Sequence, residues 1–221
     1  MPFIQFRNYI IKFLYKNILK RIFFLQNPED VHDAMINKSA FLGRHRITKF
    51  LTGLLFFYKS ENLVQKIGNL TFQNPVGLSA GFDKNAQLTQ IIPYIGFGFE
   101  EVGSIMARSF IGNPKPRLIR LKNSNALLVN YGLKNEGAEV ISTRLMKFQQ
   151  NIPIGINVAL TNKPEVSDLN LAIQDYIQTF KIFQEKNVGD YFTINISCPN
   201  TCIGQPFIQK RKSRIIIIRD R

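Results

Sequence analysis

The sequence predicts an α/β fold of parallel strand–helix units, preceded by a helical region that is both apolar and basic. After residue 60, short runs rich in β-branched and aromatic residues alternate with longer amphipathic segments. Such alternation is typical of parallel βαβ units. Residues 1–60 instead show helical periodicity, with many phenylalanines and isoleucines among lysines and arginines. We therefore expect a change of domain near residue 60.

The first 60 residues predict three helical segments. Residues 2–25 place lysines on one side of a helical wheel and mostly isoleucine and leucine on the other. A second helix has a well-formed start, because Asn27 can cap it and Pro28 suits its first turn. A third apolar and basic segment spans 47–58. These faces either pack against the protein's own core, or they lie in an anionic membrane surface as a monotopic region.

The distribution of charge separates the possible partners. The chain has 29 Lys and Arg against 15 Asp and Glu, a net charge of +14. Residues 1–60 carry ten basic against three acidic residues, and residues 208–221 carry six against one. Residues 61–207 are therefore nearly neutral and lack the positive surface that contacts with nucleic-acid phosphates require. We expect an anionic membrane surface as the partner of residues 1–60, and no nucleic acid.

Four apolar runs predict the parallel strands. They lie near 76–79, 98–103, 153–158 and 191–196. Helices are predicted near 134–149 and 168–186, the second capped by Ser167 with Asp168 in its first turn. An additional extended pair, outside this alternation, is predicted at 116–121 and 126–129.

The strongest chemical signal follows the last predicted strand. The residues from Asn195 to Asn200 place the thiol of Cys198 between two carboxamides, and Pro199 ends the regular structure. A thiol acts as a base or nucleophile once deprotonated, and carboxamides can hold a planar polar ring in one orientation. An ordinary strand exit with a half-buried cysteine is the alternative.

A second segment, from Asn74 to Asn85, combines a short strand with a turn of small residues. Ser79, Ala80 and Gly81 allow a ligand to approach the backbone closely, and Lys84 adds a cation at the carboxyl end of the strand. Taken alone, this segment is also compatible with a tight turn and a surface lysine.

Together these two segments resemble the dihydroorotate dehydrogenases, flavin enzymes of pyrimidine synthesis built on a (β/α)8 barrel. Three further segments share the family's pattern, at 96–104, 112–121 and 155–157. The likeness runs from about residue 69 to residue 207 in the family's order and spacing. It implies a TIM barrel, truncated to about its first four strands, that oxidises dihydroorotate to orotate. The hydride passes to FMN and the electrons then pass to a membrane quinone.

The resemblance implies a role for each matching residue. Cys198 is the implied catalytic base. The implied flavin contacts are Ala80, Gly81, Phe82, Asp83, Lys84, Ser104, Asn157 and Asn195. The implied substrate contacts are Lys84, Asn130, Gly132, Leu133, Asn195 and Asn200. No metal is expected, because the two cysteines and two histidines lack the spacing of a metal site.

The segment 27–32 resembles the N-terminal region of the quinone-dependent class 2 enzymes, which implies a peripheral protein on the cytoplasmic side of the cell membrane. Two residues depart from that class. Class 2 members usually have serine at the position of Cys198, where cysteine is the habit of class 1. The family's substrate-binding asparagine is replaced by Val129, and the amide is displaced to Asn130.

The sequence therefore divides into a helical region (1–60), the first half of an FMN barrel (61–207) and an aberrant basic tail (208–221). Because the family's flavin-phosphate site belongs to later strands, we expect the chain alone to hold FMN poorly and to be inactive. The alternatives are a class 1 enzyme with a soluble electron acceptor, another FMN barrel such as a tRNA dihydrouridine synthase, and an inactive remnant.

Overall fold

The computed structural model describes residues 2–202, so the predicted basic tail lies outside the described residues. Its strands are β1 (Gln65–Ile67), β2 (Leu70–Phe72), β3 (Gly77–Leu78), β4 (Phe99–Ile105), β5 (Leu118–Leu121), β6 (Ala126–Val129), β7 (Ile154–Ala159) and β8 (Tyr191–Asn195). Its α-helices are α1 (Pro2–Leu14), α2 (Lys20–Leu25), α3 (Pro28–Leu42), α4 (Arg46–Phe56), α5 (Ile92–Ile95), α6 (Ala138–Met146) and α7 (Leu169–Glu185). A π-helical segment, Tyr15–Leu19, joins α1 to α2.

The central sheet has four parallel strands in the order β3–β4–β7–β8. Its register pairs Gly77 with Phe99, Glu100 with Ile154, and Gly155 with Tyr191. The four predicted strands are confirmed, although β3 has only two residues. The predicted extended pair is confirmed as the antiparallel hairpin β5–β6, and β1 pairs with β2 in a second hairpin. All four carboxyl ends of the central sheet meet at one edge, since its strands run in the same direction.

The two faces of the sheet have different chemistry. Alternate residues of β4 and β7, including Val102, Ile154 and Ile156, are fully buried in the hydrophobic core. Helices α6 and α7 cover that face with apolar side chains such as Ile141 and Phe183. Because successive side chains of a strand point to opposite faces, the intervening residues face the inside of the sheet's curve and can line a site.

The cap of α7 differs from the prediction. Ser167 has helical backbone angles and ends the 3₁₀ turn Pro164–Val166, whereas Asp168 is extended. The Asp168 carboxylate accepts the backbone N–H groups of Asn170 (2.9 Å) and Leu171 (3.2 Å). Asp168 is the cap because a capping residue needs non-helical angles. The prediction of Ser167 was wrong.

The N-terminal helices form as predicted, and α3 joins them to the barrel region. Asn27 caps α3 by accepting the N–H of Glu29 at 2.9 Å. Glu29 in turn accepts two hydrogen bonds from the Arg117 guanidinium, from Nε at 2.9 Å and from Nη2 at 2.7 Å. Both side chains are buried, and the Arg117 hydrogen bonds hold the pKa of Glu29 below its ordinary value.

Large apolar side chains stay exposed on α1, α2 and α4. They include Phe3, Phe6, Phe13, Leu25, Ile47, Phe50 and Leu54. Across residues 2–202, no helix combines the length and the hydrophobicity that crossing a membrane requires.

The buried Glu29–Arg117 pair gives a stability prediction. Arg117→Met removes both charge-assisted hydrogen bonds of the buried Glu29 carboxylate and leaves it with the exposed Lys115 ammonium, 3.8 Å away, so we expect it to lower the free energy of unfolding by about 3–5 kcal/mol at pH 7. The exposed control, Lys122→Met, should change it by about 0.5 kcal/mol or less. Urea unfolding measures both variants. Because the pKa of Glu29 is lowered in the folded state, the pair's contribution is present near neutrality and is lost as the pH falls. Equal stabilities of the two variants would contradict this account.

Glu100 is a buried carboxyl group that we expect to destabilise the fold. It is fully buried on the core face of β4, and neither of its carboxyl oxygens has a hydrogen-bond partner among the described residues. Burial, and then the nearby charge of Asp83, raises the pKa of Glu100 well above 4.5.

We expect Glu100→Met to raise the free energy of unfolding by about 1–3 kcal/mol at pH 7, because methionine fills similar space without a polar group. The matched control is its neighbour, Glu101→Met, which removes a hydrogen-bonded carboxylate and should destabilise. A raised folded-state pKa means that the unfolded state loses its proton first as the pH rises. The contribution of Glu100 to the free energy of unfolding should therefore fall as the pH rises from about 4.5, and Glu100→Met should lack that contribution. Urea unfolding of the unmodified protein and of Glu100→Met across this pH range measures the difference. The account is wrong if both proteins lose stability equally as the pH rises.

Candidate active site

A cavity of about 510 Å³ opens at the carboxyl-terminal edge of the central sheet. Residues within β4, β7 and β8 line it, together with the segments that follow β3, β6 and β8. Its lining residues are Ser79, Ala80, Gly81, Lys84, Glu101, Gly103, Ser104, Tyr131, Gly132, Leu133, Lys134, Asn157, Thr193, Ile194, Asn195, Ser197, Cys198 and Asn200. Residues of the segments 74–85 and 195–200 therefore meet in this cavity.

Side chains from three strands form a continuous hydrogen-bond chain in this cavity. Glu101 accepts from Asn157 Nδ2 at 2.6 Å and from Thr193 Oγ1 at 3.2 Å. The Ser104 hydroxyl donates to Asn157 Oδ1 at 2.5 Å and accepts from Asn195 Nδ2 at 2.9 Å. An ionised carboxylate can only accept, so Glu101 sets the direction of every donor in the chain. It therefore fixes which face each amide presents to the cavity.

Lys84 supplies a cation beside this network. Its ammonium lies 4.2 Å from the centroid of the Tyr131 ring, a cation–π distance. Burial is the main cause that lowers the pKa of Lys84 to about 8, and the positive charge of Lys134 acts in the same direction. At neutral pH the ammonium is mostly charged, so the cavity has a partly desolvated cation that suits an anionic ligand.

The loop after β8 is held by contacts on both sides. The Asn200 amide donates to the Val129 carbonyl at 2.9 Å, and the Cys202 N–H donates to Asn162 Oδ1 at 2.7 Å. Cys198 lines the cavity as a half-buried free thiol, whereas the free thiol of Cys202 is exposed. Cys198 is thus the thiol placed to meet a ligand.

Three residues that the resemblance placed in the site do not line the cavity. Asp83 is fully buried, and its carboxylate accepts the N–H groups of Asn85, Gln87 and Leu88 at 3.3, 2.9 and 2.6 Å. It therefore shapes the turn that carries Lys84, and it has no surface for a flavin.

Phe82 and Asn130 also point elsewhere. The Phe82 ring packs edge-on against His32 of α3, with ring centroids 5.1 Å apart, and its carbonyl lies 3.0 Å from His32 Nε2. Asn130 Oδ1 accepts from Asn113 Nδ2 at 2.8 Å, which ties the amide to the neighbouring loop. The displaced amide at Asn130 is therefore not positioned in the cavity, and the other predicted site residues are.

The sequence analysis did not select Glu101, Thr193, Tyr131 or Lys134, which also line the cavity. Glu101 had a visible signal, because it is one of two carboxyl groups inside a predicted buried strand. Lys134 follows the predicted substrate segment and lies 3.8 Å from Asp33 Oδ2 of α3.

A site at the carboxyl ends of parallel strands, built from the strands and from loops that follow them, defines an α/β-barrel type of protein. The family model for dihydroorotate dehydrogenase matches residues 62–218. The chain therefore belongs to the dihydroorotate dehydrogenase family, which is flavin-dependent and has a TIM-barrel fold.

Relatives named dihydroorotate dehydrogenase (quinone) agree with this assignment. One from a Synechococcus strain is 39% identical over 194 residues, covering 85% of this chain and 50% of the relative. One from Gloeobacter violaceus is 37% identical over 184 residues, covering 83% of this chain and 50% of the relative. The chain thus spans about half the length of these relatives.

Solved structures give the same result. The ligand-free dihydroorotate dehydrogenase of Eimeria tenella superimposes with a TM-score of 0.71 at 31% identity, covering 87% of this chain and 52% of that one. The ferulenol complex of the Eimeria tenella enzyme gives a TM-score of 0.68 at the same identity. The parallel sheet β3–β4–β7–β8 is accordingly a part of a TIM barrel.

Proposed function

We propose that this protein oxidises dihydroorotate to orotate, with FMN as its cofactor and a membrane quinone as the final electron acceptor. The family assignment supports the reaction class. The observation that carries the proposal is the meeting of Cys198, Lys84, Asn195 and Asn200 in one cavity. These four residues combine a base, a cation and two carboxamides, which is what an anionic, planar heterocycle requires.

The residues present fit the ring portion of a flavin. Ser79, Ala80 and Gly81 leave room for a flat ring, since a Cβ built at Gly81 meets no atom within 4 Å. Ser104, Asn157 and Asn195 offer hydrogen-bonding groups in fixed orientations on the neighbouring strands. When bound, FMN supplies the hydride acceptor that no side chain can provide.

The chain's own residues account for binding and for the proton. Lys84 pairs with the substrate carboxylate, and Asn195 and Asn200 hold the ring in register with Cys198. The Cys198 thiolate removes the acidic proton from the carbon next to the one that gives up the hydride. A thiol ionises more readily than the serine usual in quinone-dependent members, so Cys198 is suited to act at lower pH.

Residues 1–60 support the quinone and membrane part of the proposal. Helices α1, α2 and α4 expose large apolar side chains such as Phe6 and Phe50, with lysines and arginines nearby. This is the pattern of helices that lie in a membrane interface and face lipid phosphates. We place the protein peripherally on the cytoplasmic side of the cell membrane, where a quinone reaches it from the bilayer.

Substitution of Cys198 tests the proposed reaction. The assay uses a chimera that joins residues 1–202 to the remaining segment of the Synechococcus relative, and it follows dihydroorotate oxidation with a quinone analogue. Cys198→Ala should lower turnover by about 10²–10⁴-fold, the usual worth of a general base, while flavin absorbance is retained. Cys198→Ser should remain active, with the acidic limb of its pH–rate profile at higher pH, because the alcohol is harder to deprotonate. Cys202→Ser is the matched control and should change little. Near-normal turnover of Cys198→Ala would remove this thiol from the mechanism.

Vesicle flotation tests the membrane region. The chain should float with vesicles that contain anionic lipid, and a variant lacking residues 1–60 should stay in the lower fractions. Salt should weaken flotation only in part, because inserted phenylalanines are not screened. A control with Phe6, Phe13 and Phe50 changed to serine keeps every charge and should also float poorly. Flotation that survives deletion of residues 1–60 would show that another surface binds the lipid.

A further inference from the structure

A second cavity, of about 470 Å³, lies where the end of α3 and the start of α4 meet α6. It shares no lining residue with the candidate active site. Its charged lining residues are Arg44, Lys49, Arg144 and Lys147, and it has no acidic lining residue. The cavity is therefore positively charged on several sides.

Most of these cations have no carboxylate partner among residues 2–202. Arg144 is held in place, donating to Glu136 Oε2 and to the Asn85 carbonyl, each at 2.5 Å. Arg44, Lys49 and Lys147 have no carboxylate partner among residues 2–202, and Lys49 lies 5.7 Å from the Tyr94 ring centroid. Cations grouped in this way repel one another, and a bound anion would relieve that repulsion.

The electrostatics of helix ends explain the positions of Arg44 and Lys147 but not that of Lys49. Arg44 follows the end of α3 and Lys147 is the C-cap of α6, positions where a cation is favoured by the exposed carbonyls. Lys49 lies in the first turn of α4, where the helix end is itself positive and a cation is unfavourable. An anion in the cavity would interact favourably with Lys49 and so offset that unfavourable position.

Thr89 adds a neutral hydrogen-bonding group to the cavity. It lines the cavity with only 3% of its surface exposed, and its hydroxyl makes no hydrogen bond to any part of the chain that the structure describes. The hydroxyl opens on the cavity rather than into the core. It would donate a hydrogen bond to a ligand oxygen bound there.

We propose that this cavity binds a phosphate group, carried either by a small soluble phosphate ester or by a lipid headgroup. Phosphate accepts several hydrogen bonds at once and pairs strongly with lysine and arginine. The cavity volume is within the range of ordinary ligand sites. The lipid source has support from the neighbouring face of α4, where Ile47, Phe50 and Leu54 are exposed.

Phosphate binding to the full 221-residue chain tests the site. Isothermal titration with inorganic phosphate should show saturable binding, and Lys49→Gln/Lys147→Gln should weaken it by about tenfold or more. The control Lys122→Gln/Lys181→Gln removes the same charge from exposed positions away from the cavity, and it should change the affinity by less than about twofold. Thr89→Val keeps the charge and shape of the site and should weaken binding by about threefold or more. Far-UV circular dichroism checks that each variant keeps its helices.

Vesicles then identify the source of the phosphate. Phosphatidylcholine vesicles with and without phosphatidic acid are floated with the same variants. Loss of flotation on phosphatidic acid in the cavity double variant, but not in the exposed control, assigns the site to a lipid headgroup. Equal flotation of the two double variants, with phosphate affinity lost only in the cavity variant, assigns it to a soluble phosphate ester. The proposal is wrong if the unmodified chain shows no saturable phosphate binding, or if the two double variants lose affinity equally.

Discussion

The carboxylate of Glu101 is the constraint on which the candidate active site depends. It lies inside a parallel sheet and accepts hydrogen bonds from Asn157 and Thr193 on the next two strands. Because the carboxylate cannot donate, Asn157 must turn its oxygen toward Ser104, and Ser104 must then accept from Asn195. One negative charge therefore orients the polar groups of three strands before any ligand binds. Such preorganisation avoids a reorganisation cost when a flat, polar ring enters the cavity.

A second buried charge links the N-terminal helices to this site. The hydrogen bonds between Glu29 of α3 and Arg117 fix α3 against the loop before β5. Three residues farther along α3, His32 contacts the backbone and the ring of Phe82, in the turn that carries Lys84. The helical region is thus in direct contact with the turn that carries Lys84.

Periodicity was enough to predict the parallel strands, the hairpin β5–β6 and the helical N-terminus, because these depend on burial patterns that repeat along the chain. The predictions that failed concern side chains whose role depends on local backbone geometry. Ser167 and Asp168 are both good caps, and only the backbone angles of the preceding 3₁₀ turn select Asp168. The resemblance placed Asp83 beside the flavin, yet its carboxylate is used by three backbone N–H groups of its own turn. A motif identifies the residues of a segment, but it does not say which of them turn away from the ligand.

Glu100 and Glu101 also show that neighbouring residues of one motif can have opposite orientations. Their side chains are adjacent in sequence and point to opposite faces of the sheet, as strand geometry requires. Glu101 reaches partners on two strands, whereas the oxygens of Glu100 have none among the described residues and lie in the hydrophobic core near Asp83. Burial raises the pKa of Glu100 well above its ordinary value, so the core face of the strand disfavours a charge there. The Glu101 carboxylate faces the cavity instead, where its hydrogen bonds order the polar groups of the site.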